Sequence, residues 1–483
     1  MKNINLNDTI AAIATPIGES GIGIVRISGK KALSIADRIF VSNNRQAPSN
    51  FKTYTTHYGW IVDIHKPPAA SRRLNIKNIK QAVCSTGQEV IDEVILTLMR
   101  APKSYTREDV VEINCHGGII PLRKTLELVL DSGARLANPG EFTQRAFLNG
   151  RIDLTQAEAV LDIIRAKTDY ALKLSSEQLR GILAKKLNQL RDRLLHSLSR
   201  LEASIDFPEE GLGDVDIKNI AVNLSRVNQE VKGLLCNSER GRVFREGIKA
   251  VICGKPNVGK SSLLNALLKC ERSIVTSVPG TTRDTIEEIL DIKGIPVRIV
   301  DTAGIIEPMD LVERKAISRS QRYMREADLV LLVLDGNKGL SSEDKVLMRK
   351  IKSKPAIVLI NKIDLKQKIN RLWINQRFKQ VVCISAKRRK NIDLLEEEIA
   401  QFVFNGKINS GEQVWVTNLR HIQRLKKVQK SVIRSEKSVS MNLSPELIAQ
   451  DLKEGVGFLD DIQGRHFSEE LLDRIFSDFC IGK

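Results

Sequence analysis

The stretch GKPNVGKSS, at residues 254–262, constrains the fold of this 483-residue chain more than any other feature. It satisfies the pattern G-x-x-x-x-G-K-[ST] and stands between a strand-like run, IKAVICG, and an apolar helical run, LLNALL. In that context the pattern indicates a phosphate-binding loop. Its backbone amides and the helix N-terminus suit phosphate oxygens, so we expect Lys260 to reach the β- and γ-phosphates and Ser261 to ligate Mg²⁺.

Four further motifs follow in the order and at the spacings of a GTPase. Asp301 opens DTAG after the strand-like run PVRIV, which places it near the metal and the Gly304 amide near the γ-phosphate. The Asp364 carboxylate of NKID can accept hydrogen bonds from guanine N1–H and its amino group, which adenine cannot supply. Thr282 of GTTRD is expected on Mg²⁺, and SAK at 385–387 beside the base. The predicted GTP contacts are Gly254, Asn257, Val258, Gly259, Lys260, Ser261, Ser262, Thr276, Ser277, Val278, Pro279, Gly280, Thr281, Thr282, Asp301, Thr302, Ala303, Gly304, Asn361, Lys362, Asp364, Ser385, Ala386 and Lys387.

The position after D-x-x-G is informative about hydrolysis. Many small GTPases carry a glutamine there to orient the attacking water, but Ile305 and Ile306 follow in this chain. Another group must therefore position the water. The side-chain oxygen of Asn257 could hold a monovalent cation beside the phosphates and offset developing negative charge. A turn-stabilising asparagine is an equally good reading of the same residue.

The pattern of the remaining chain predicts a multidomain protein. Strand-like and helical runs alternate from about 247 to 405, as in a doubly wound, mostly parallel sheet. Residues 1–150 mix short β-like runs with helices, which favours an α+β domain. A long helix is predicted around an apolar stripe at Leu187, Leu190, Leu194, Leu198, Leu201 and Ile205. A basic helix is predicted at 418–437; such a run is usually a solvated face, with RNA contact as the alternative.

Composition narrows the class of partner and compartment. The formal charge of +18 favours a polyanionic partner such as RNA, whereas 4% aromatic residues argue against a stacking platform for single strands. Seven scattered cysteines without a C-x-x-C pair predict reduced thiols rather than disulfides or a zinc site. The start of the chain lacks the features of a secretory signal and no apolar run could span a bilayer, so we expect a cytoplasmic protein without membrane contact.

The motifs that flank the phosphate-binding loop carry a family resemblance. They are CHGG (115–118), PGEFTQRAFLNGRIDLTQAEA (139–159), IDFPEE (205–210) and FCIGK at the end of the sequence. Together with the loop and NKID, they resemble the MnmE family, also called TrmE, of tRNA wobble-uridine modification GTPases. The resemblance covers essentially the whole chain.

The resemblance implies a domain order and a homodimer. It implies an N-terminal tetrahydrofolate-binding and dimerisation domain at 1–150, and a helical domain in two parts, 151–246 and 406–483. A Ras-like GTPase (G) domain at 247–405 interrupts the helical domain, whose second part ends in CIGK. Relative to other members, the basic loop at 65–80 resembles an insertion.

The family's cation-activated mechanism assigns roles to individual residues. By resemblance, K⁺ is held by Asn257, Thr276, Val278 and Thr281, while Ser261 and Thr282 hold Mg²⁺. K⁺ is implied to bring the G domains of a dimer together and to stimulate hydrolysis. Glu313 matches the glutamate that orients the water through an intermediary, which fits the missing glutamine. The predicted catalytic set is Glu313, Asn257 and Lys260.

For the N-terminal domain, the resemblance implies a folate that donates a one-carbon unit, as 5-formyl- or methylene-tetrahydrofolate. Arg26 and Arg151 could pair with its glutamate carboxylates and Glu112 with its pterin edge, although each of the three could instead be an ordinary surface charge. The C-terminal tail would thread into the dimer and present Cys480 and Lys483 to this pocket. For Cys480, covalent chemistry and packing both stay open, and a supporting role is favoured.

The resemblance also implies partners. A flavoprotein, MnmG, would supply FAD and use NADH in a heterotetramer or larger complex that acts on tRNA. This chain has no G-x-G-x-x-G and should bind neither cofactor itself. The alternative is a ribosome-assembly GTPase of the Era or Der kind, which shares the G-x-P-N-V-G-K-S loop. A second G domain or a C-terminal KH module would favour that alternative, and the sequence shows neither.

Overall fold

The computed structural model describes six stretches of the chain: residues 7–63, 89–207, 214–270, 287–301, 325–404 and 414–483. The predicted basic loop at 65–80 lies outside them. The chain divides into two compact units, Met1–Leu161 with Gln463–Lys483 and Asp162–Ile462. Each unit is described by itself below.

The strands belong to two sheets. Those of the first unit are β1 (Ile10–Ile13), β2 (Ser20–Ser28), β3 (Phe40–Ser42), β4 (Thr55–Val62), β5 (Val90–Met99), β6 (Val110–Gly117) and β7 (Arg135–Leu136). Those of the second unit are β8 (Ile248–Cys253), β9 (Glu287–Ile292), β10 (Ile295–Asp301), β11 (Leu329–Asp335), β12 (Ala356–Asn361) and β13 (Val381–Cys383).

The helices are numbered along the chain. They are α1 (Ala32–Ile39), α2 (Ile119–Asp131), α3 (Glu141–Leu148), α4 (Leu154–Arg165), α5 (Asp169–Leu179), α6 (Ile182–Asp206), α7 (Asp214–Cys236), α8 (Ser238–Glu246), α9 (Lys260–Cys270), α10 (Ser342–Ile351), α11 (Arg371–Asn375), α12 (Ile392–Phe404), α13 (Leu419–Ser440), α14 (Pro445–Gln463) and α15 (Glu469–Phe476). A short 3₁₀ helix spans Pro48–Asn50. In the part of the chain that the structure describes, no helix combines the length and apolarity that crossing a membrane requires.

The first unit is built on a seven-stranded sheet in the order β3-β4-β5-β6-β2-β1-β7. Because side chains alternate across a strand, one face of β2 and β6 buries Val25, Ile27, Val111 and Ile113 against α1 and α2. Arg26 and Glu112 project from the opposite face. The sheet with its helices confirms the predicted α+β domain.

The second unit contains the predicted parallel sheet, in the order β13-β12-β11-β8-β10-β9. Only the hairpin strand β9 runs antiparallel. Alternate residues of β11 and β12 enter two separate hydrophobic clusters, one packed by α9 and α12 and the other by α10 and α11. Both faces are therefore covered, which confirms the doubly wound fold and places the loops after the strands at one edge.

The rest of the second unit is a helical bundle. The predicted stripe of α6 is buried against α7, α13 and α14, with Leu187, Leu190 and Leu194 fully enclosed. Asn418 caps α13 by accepting a hydrogen bond from the Arg420 amide at 2.9 Å. The basic segment is thus a helix with one apolar face in the core and its lysines on the outside, because charged side chains are costly to bury.

Candidate functional site

The phosphate-binding loop lies at the carboxyl edge of the second sheet, between the end of β8 and the start of α9. Gly254, Asn257 and Gly259 have positive φ angles of 149°, 64° and 99°. A Cβ atom on Gly259 would lie 2.4 Å from Asn361 Nδ2, so only glycine fits there. The Lys260 amine donates to the carbonyls of Gly254 at 3.0 Å and Lys255 at 2.8 Å. Its position over the loop suits the predicted contact with phosphates.

The NKID motif ties this loop to the segment predicted beside the base. Asn361 donates from Nδ2 to the Val258 carbonyl at 2.8 Å and accepts from the Ala386 amide at 3.0 Å. Lys362 donates to the Asn257 carbonyl at 2.8 Å and to Asp335 at 2.7 Å. The structure therefore brings together three of the predicted motifs, GKPNVGKSS, NKID and SAK.

Asp364 is arranged to meet a hydrogen-bond donor. Its side chain is exposed and accepts a hydrogen bond from the Ser385 hydroxyl at 2.6 Å. Ser385 in turn accepts from the Arg388 amide at 3.2 Å. The Ser385 hydrogen bond holds the pKa of Asp364 below its usual range, with Arg388 and Lys387 adding attraction. An ionised carboxylate is the acceptor that the guanine N1–H and amino group require.

The metal and switch predictions are only partly within the described chain. Asp301 pairs in register with Ile252 on β8, so its backbone lies at the same edge as the phosphate-binding loop. Ser261 lies in the first turn of α9 and is exposed. These two residue types are oxygen ligands that fit Mg²⁺. Thr276, Ser277, Val278, Pro279, Gly280, Thr281, Thr282, Thr302, Ala303, Gly304 and Glu313 lie outside the described residues.

The left-handed backbone of Asn257 supplies a reason for asparagine that is independent of any cation. Asparagine tolerates a φ near +60° better than most residues, and Asn257 has a φ of 64°. Its carbonyl is held by Lys362. The turn-stabilising reading thus has structural support, while the cation reading stays a prediction.

Two of the predicted folate residues pair with each other in the first unit. Arg26 on β2 faces Glu112 on β6 in register, and its Nε donates to the Glu112 carboxylate at 2.7 Å. A terminal nitrogen of Arg26 donates to the Gly482 carbonyl at 2.9 Å. The guanidinium also lies 5.6 Å from the centre of the Phe142 ring. Arg26 is therefore oriented by three groups rather than being an ordinary surface charge.

The C-terminal tail lies against the start of α3 in the same chain. The Gly140 and Phe142 amides donate to the carbonyls of Cys480 at 3.4 Å and Lys483 at 3.2 Å. Phe479 is buried, whereas the side chain of Cys480 is exposed. Residues 463–483 thus belong to the first compact unit, although the sequence pattern grouped the tail with the second helical part. The predicted threading of the tail into a dimer concerns a second chain and stays a prediction.

Tyr105 links Arg151 to this region and was not singled out from the sequence. The Arg151 guanidinium lies 4.7 Å from the centre of the Tyr105 ring, and the Tyr105 hydroxyl shares a hydrogen bond with Thr143 at 2.9 Å. Burial raises the pKa of Tyr105, although attraction from Arg151 and Arg26 opposes that rise. A single tyrosine in a loop carries no pattern that could have revealed this contact.

A second group missed from the sequence is the buried Arg145, which fixes α3. Its side chain is fully enclosed and pairs with Asp8, with Glu108 at 3.1 Å and with Glu141 at 3.2 Å. Burial alone would raise the pKa of Glu141, but Arg135 and the Asn138 amide hold it below its usual value. Such a network is costly to break by removing one partner. It anchors the helix whose first turn holds the tail.

Five cysteines fall within the described part of the chain, and all five are free thiols: Cys115, Cys236, Cys253, Cys383 and Cys480. Burial raises the pKa of both Cys115 and Cys253 to about 12. These two thiols therefore stay protonated and unreactive at neutral pH.

Two family descriptions match the chain. Residues 9–151 match the N-terminus of the GTP-binding protein TrmE, and residues 154–480 match the MnmE helical domain. A protein of Desulforamulus reducens named tRNA modification GTPase MnmE is 45% identical over 481 residues, which is 99% of this chain and 100% of that protein. A protein of Carboxydothermus hydrogenoformans with the same name is also 45% identical over 481 residues, with the same shares of both chains.

Among solved structures, the G domain region is similar to that of Aquifex aeolicus Era bound to GDP.AlF4-. The identity is 29%, covering 38% of this chain and 66% of that one, with a TM-score of 0.27. The full-length identity to the curated relatives, by contrast, extends through the N-terminal and helical regions as well. The chain therefore belongs to the MnmE family of tRNA modification GTPases.

Proposed function

We propose that this protein hydrolyses GTP as one component of a complex that modifies the wobble uridine of certain tRNAs. With a flavoprotein partner, MnmG, it would add an aminomethyl or carboxymethylaminomethyl group. FAD and NADH would act only through that partner, in the cytoplasm. The observation that carries the proposal is full-length identity of 45% to named tRNA modification GTPases, joined to the hydrogen-bonded edge around Asp364.

On the GTPase side, the residues of the loop have separable roles. Lys260 would neutralise the β- and γ-phosphates, and the Asp364 carboxylate would select guanine. Mg²⁺, when bound through Ser261 and Thr282 near Asp301, would offset charge on the phosphate oxygens. We infer that Glu313 positions the water, because isoleucines follow D-x-x-G.

We further propose that K⁺ stimulates hydrolysis by joining the G domains of a homodimer through Asn257, Thr276, Val278 and Thr281. Asn257→Lys places an ammonium where the cation would sit, so the rate difference between K⁺ and Na⁺ should disappear. Phosphate release measured in matched chloride salts tests this. A persistent preference for K⁺ would remove Asn257 from the cation site and leave only its role in the turn.

On the folate side, the proposal assigns a tetrahydrofolate derivative to the first unit. Arg26, Glu112 and Arg151 would hold it, with Lys483 beside them and Cys480 in a supporting role. Support comes from the oriented Arg26–Glu112 pair and from the tail that reaches it. Binding would require the ligand to exchange with, or add to, the bonds that Arg26 already makes.

The experiment that tests the function is nucleoside mass spectrometry of bulk tRNA from cells depleted of this protein. Loss of the carboxymethylaminomethyl derivatives of wobble uridine, restored by the intact gene and not by an Asp364→Asn gene, is the expected result. Unchanged nucleosides together with abnormal ribosomal subunit profiles would contradict it and favour an assembly GTPase of the Era or Der kind.

A further inference from the structure

A groove between two helices of the second unit has no part in the functions above. It runs between α6 and α7 and encloses about 520 Å³. Arg193, His196 and Arg200 line one side at helical steps of three and four, and Arg226 lines the other. Asp192 is the only acidic residue among the described residues that line it.

The floor of the groove is fixed by polar contacts. Asn223 on α7 donates from Nδ2 to the Arg193 carbonyl and to the Ser197 hydroxyl, both at 2.9 Å. Ser197 is only 1% exposed, so this contact sets the spacing of the two helices. Arg193 is tied at the rim by Glu230. The arginines thus stand on two rigid helices rather than on loops.

The chemistry of the groove fits a chain of phosphates. Guanidinium groups match phosphate oxygens in a bidentate manner. No aromatic residue lies among the described residues that line the groove, so nothing there offers a platform on which bases could stack. A net charge of +18 on the whole chain gives the same sign to long-range attraction.

We infer that this groove between α6 and α7 binds the phosphodiester backbone of RNA, through Arg200 and Arg226. The inference rests on the proposed function, because it names the surface by which the tRNA substrate would be held. It concerns the helical bundle and needs neither GTP nor folate. Backbone contact of this kind positions an RNA without reading its sequence.

The test compares two double variants of the full-length chain that each lose two positive charges. Arg200→Gln with Arg226→Gln changes the groove, and Lys426→Gln with Lys430→Gln changes the outer face of α13, where both lysines are exposed. The dissociation constant for an unmodified tRNA transcript is measured at several NaCl concentrations without nucleotide. Thermal unfolding of each variant checks that the bundle is intact.

For the groove variant we expect about tenfold weaker binding and a fall of about 2 in the slope of log affinity against log salt. The α13 variant should change both quantities less. Arg200→Lys with Arg226→Lys should keep the slope and recover part of the affinity, because charge remains while the bidentate geometry is lost.

Three outcomes would overturn the inference. Equal losses in the two double variants would show that RNA contact is spread over the basic surface. Unchanged RNA binding with lost capture of the purified flavoprotein partner would assign the groove to a protein. Absence of tRNA binding by the unaltered chain would reject the groove and the tRNA substrate together, whereas binding that ignores the groove variant rejects the groove alone.

Discussion

The guanine edge of the G domain and the Arg26 site of the first unit are built in opposite ways. On the guanine edge, Asn361, Lys362 and Asp364 come from one short motif, and their partners lie in the two loops beside it. At the other site, Arg26 joins Glu112 across two strands and Gly482 at a separation of 456 residues. One site is local in the sequence, and the other is closed by the end of the chain.

This difference teaches where each site should be vulnerable. A local motif fails when its own side chains change, because the backbone that carries them is held by a buried sheet on both faces. A site closed by a distant tail also fails when the tail is displaced, even if every pocket residue is kept. Substitutions in the two regions should therefore have different signatures.

The largest effect is expected for Asp364→Asn on the guanine edge. It replaces a charged acceptor by an amide that presents a donor, so the guanine N1–H and amino group lose their partner. Charge-assisted hydrogen bonds contribute about 1.5–3 kcal/mol each, so GTP affinity should fall at least about a hundredfold while XTP affinity rises. Asp393→Asn, which removes one exposed carboxylate from α12, is the control for charge in a nucleotide titration. Unchanged preference for GTP would remove Asp364 from base recognition.

The tail should be broken by a single methyl group in Gly482→Ala. Gly482 has a φ of 93°, and a Cβ atom would lie 2.4 Å from the Ile13 carbonyl oxygen. The left-handed backbone alone costs about 1–2 kcal/mol for a residue with a side chain, so the tail should leave Arg26. Hydrogen exchange at the Gly140 and Phe142 amides, which the tail protects, should become faster.

Gly233→Ala on α7 is the matched control for that change. Nothing lies within 4 Å of a Cβ atom there, and alanine is the better helix residue by about 1 kcal/mol. This variant should leave the two amides protected. Equal exchange rates for Gly482→Ala and the unaltered chain would show that the tail does not depend on this close contact.

A smaller effect is expected when the arginine itself is changed conservatively. Arg26→Lys keeps the charge, but one ammonium cannot reproduce the planar contacts with Glu112 and the Gly482 carbonyl together. We expect roughly tenfold weaker binding of 5-formyltetrahydrofolate, about 1.4 kcal/mol, measured by calorimetric titration. Arg123→Lys on α2, in a pair with Glu127 whose side chains are 60% and 59% exposed, should bind as the unaltered chain does. Equal affinities for all three proteins would make Arg26 a purely structural residue.

The same contrast explains what the sequence could predict. The doubly wound sheet, the apolar stripe of α6 and the positions of Lys260, Asn361 and Asp364 follow from periodicity and from motifs of fixed spacing. Each of these signals is contained in a window of a few turns of chain. The physics that they encode is local, since it consists of strand alternation, helix faces and loop geometry.

The remainder depends on contacts between distant segments. The pairing of Arg26 with Glu112 requires the register of β2 against β6, which no single segment encodes. Tyr105 beside Arg151, and Arg145 among three carboxylates, likewise depend on how loops and α3 meet. The tail could be associated with the folate residues through family resemblance, but its hydrogen bonds to α3 could not.

The smallest effect is expected for Ser385→Ala, and it tests how local the guanine edge is. Ser385 lowers the pKa of Asp364 by donating to its carboxylate. Losing one hydrogen bond costs about 1 kcal/mol, so GTP affinity at neutral pH should fall about fivefold. Because a lowered pKa keeps the carboxylate ionised as pH falls, removing its cause should move the acidic loss of GTP binding to higher pH.

The pH profile separates this role of Ser385 from simple packing. Asp364→Asn has no carboxylate at this position, so adding Ser385→Ala to it should leave the acidic limb of nucleotide binding where it was. The two changes should therefore be non-additive in the pH profile, as expected for residues in one hydrogen-bonded unit. If Ser385→Ala alone lowered affinity equally at every pH, its hydroxyl would act on the loop and not through Asp364. The guanine edge would then depend on more of the SAK segment than its one side-chain contact with NKID.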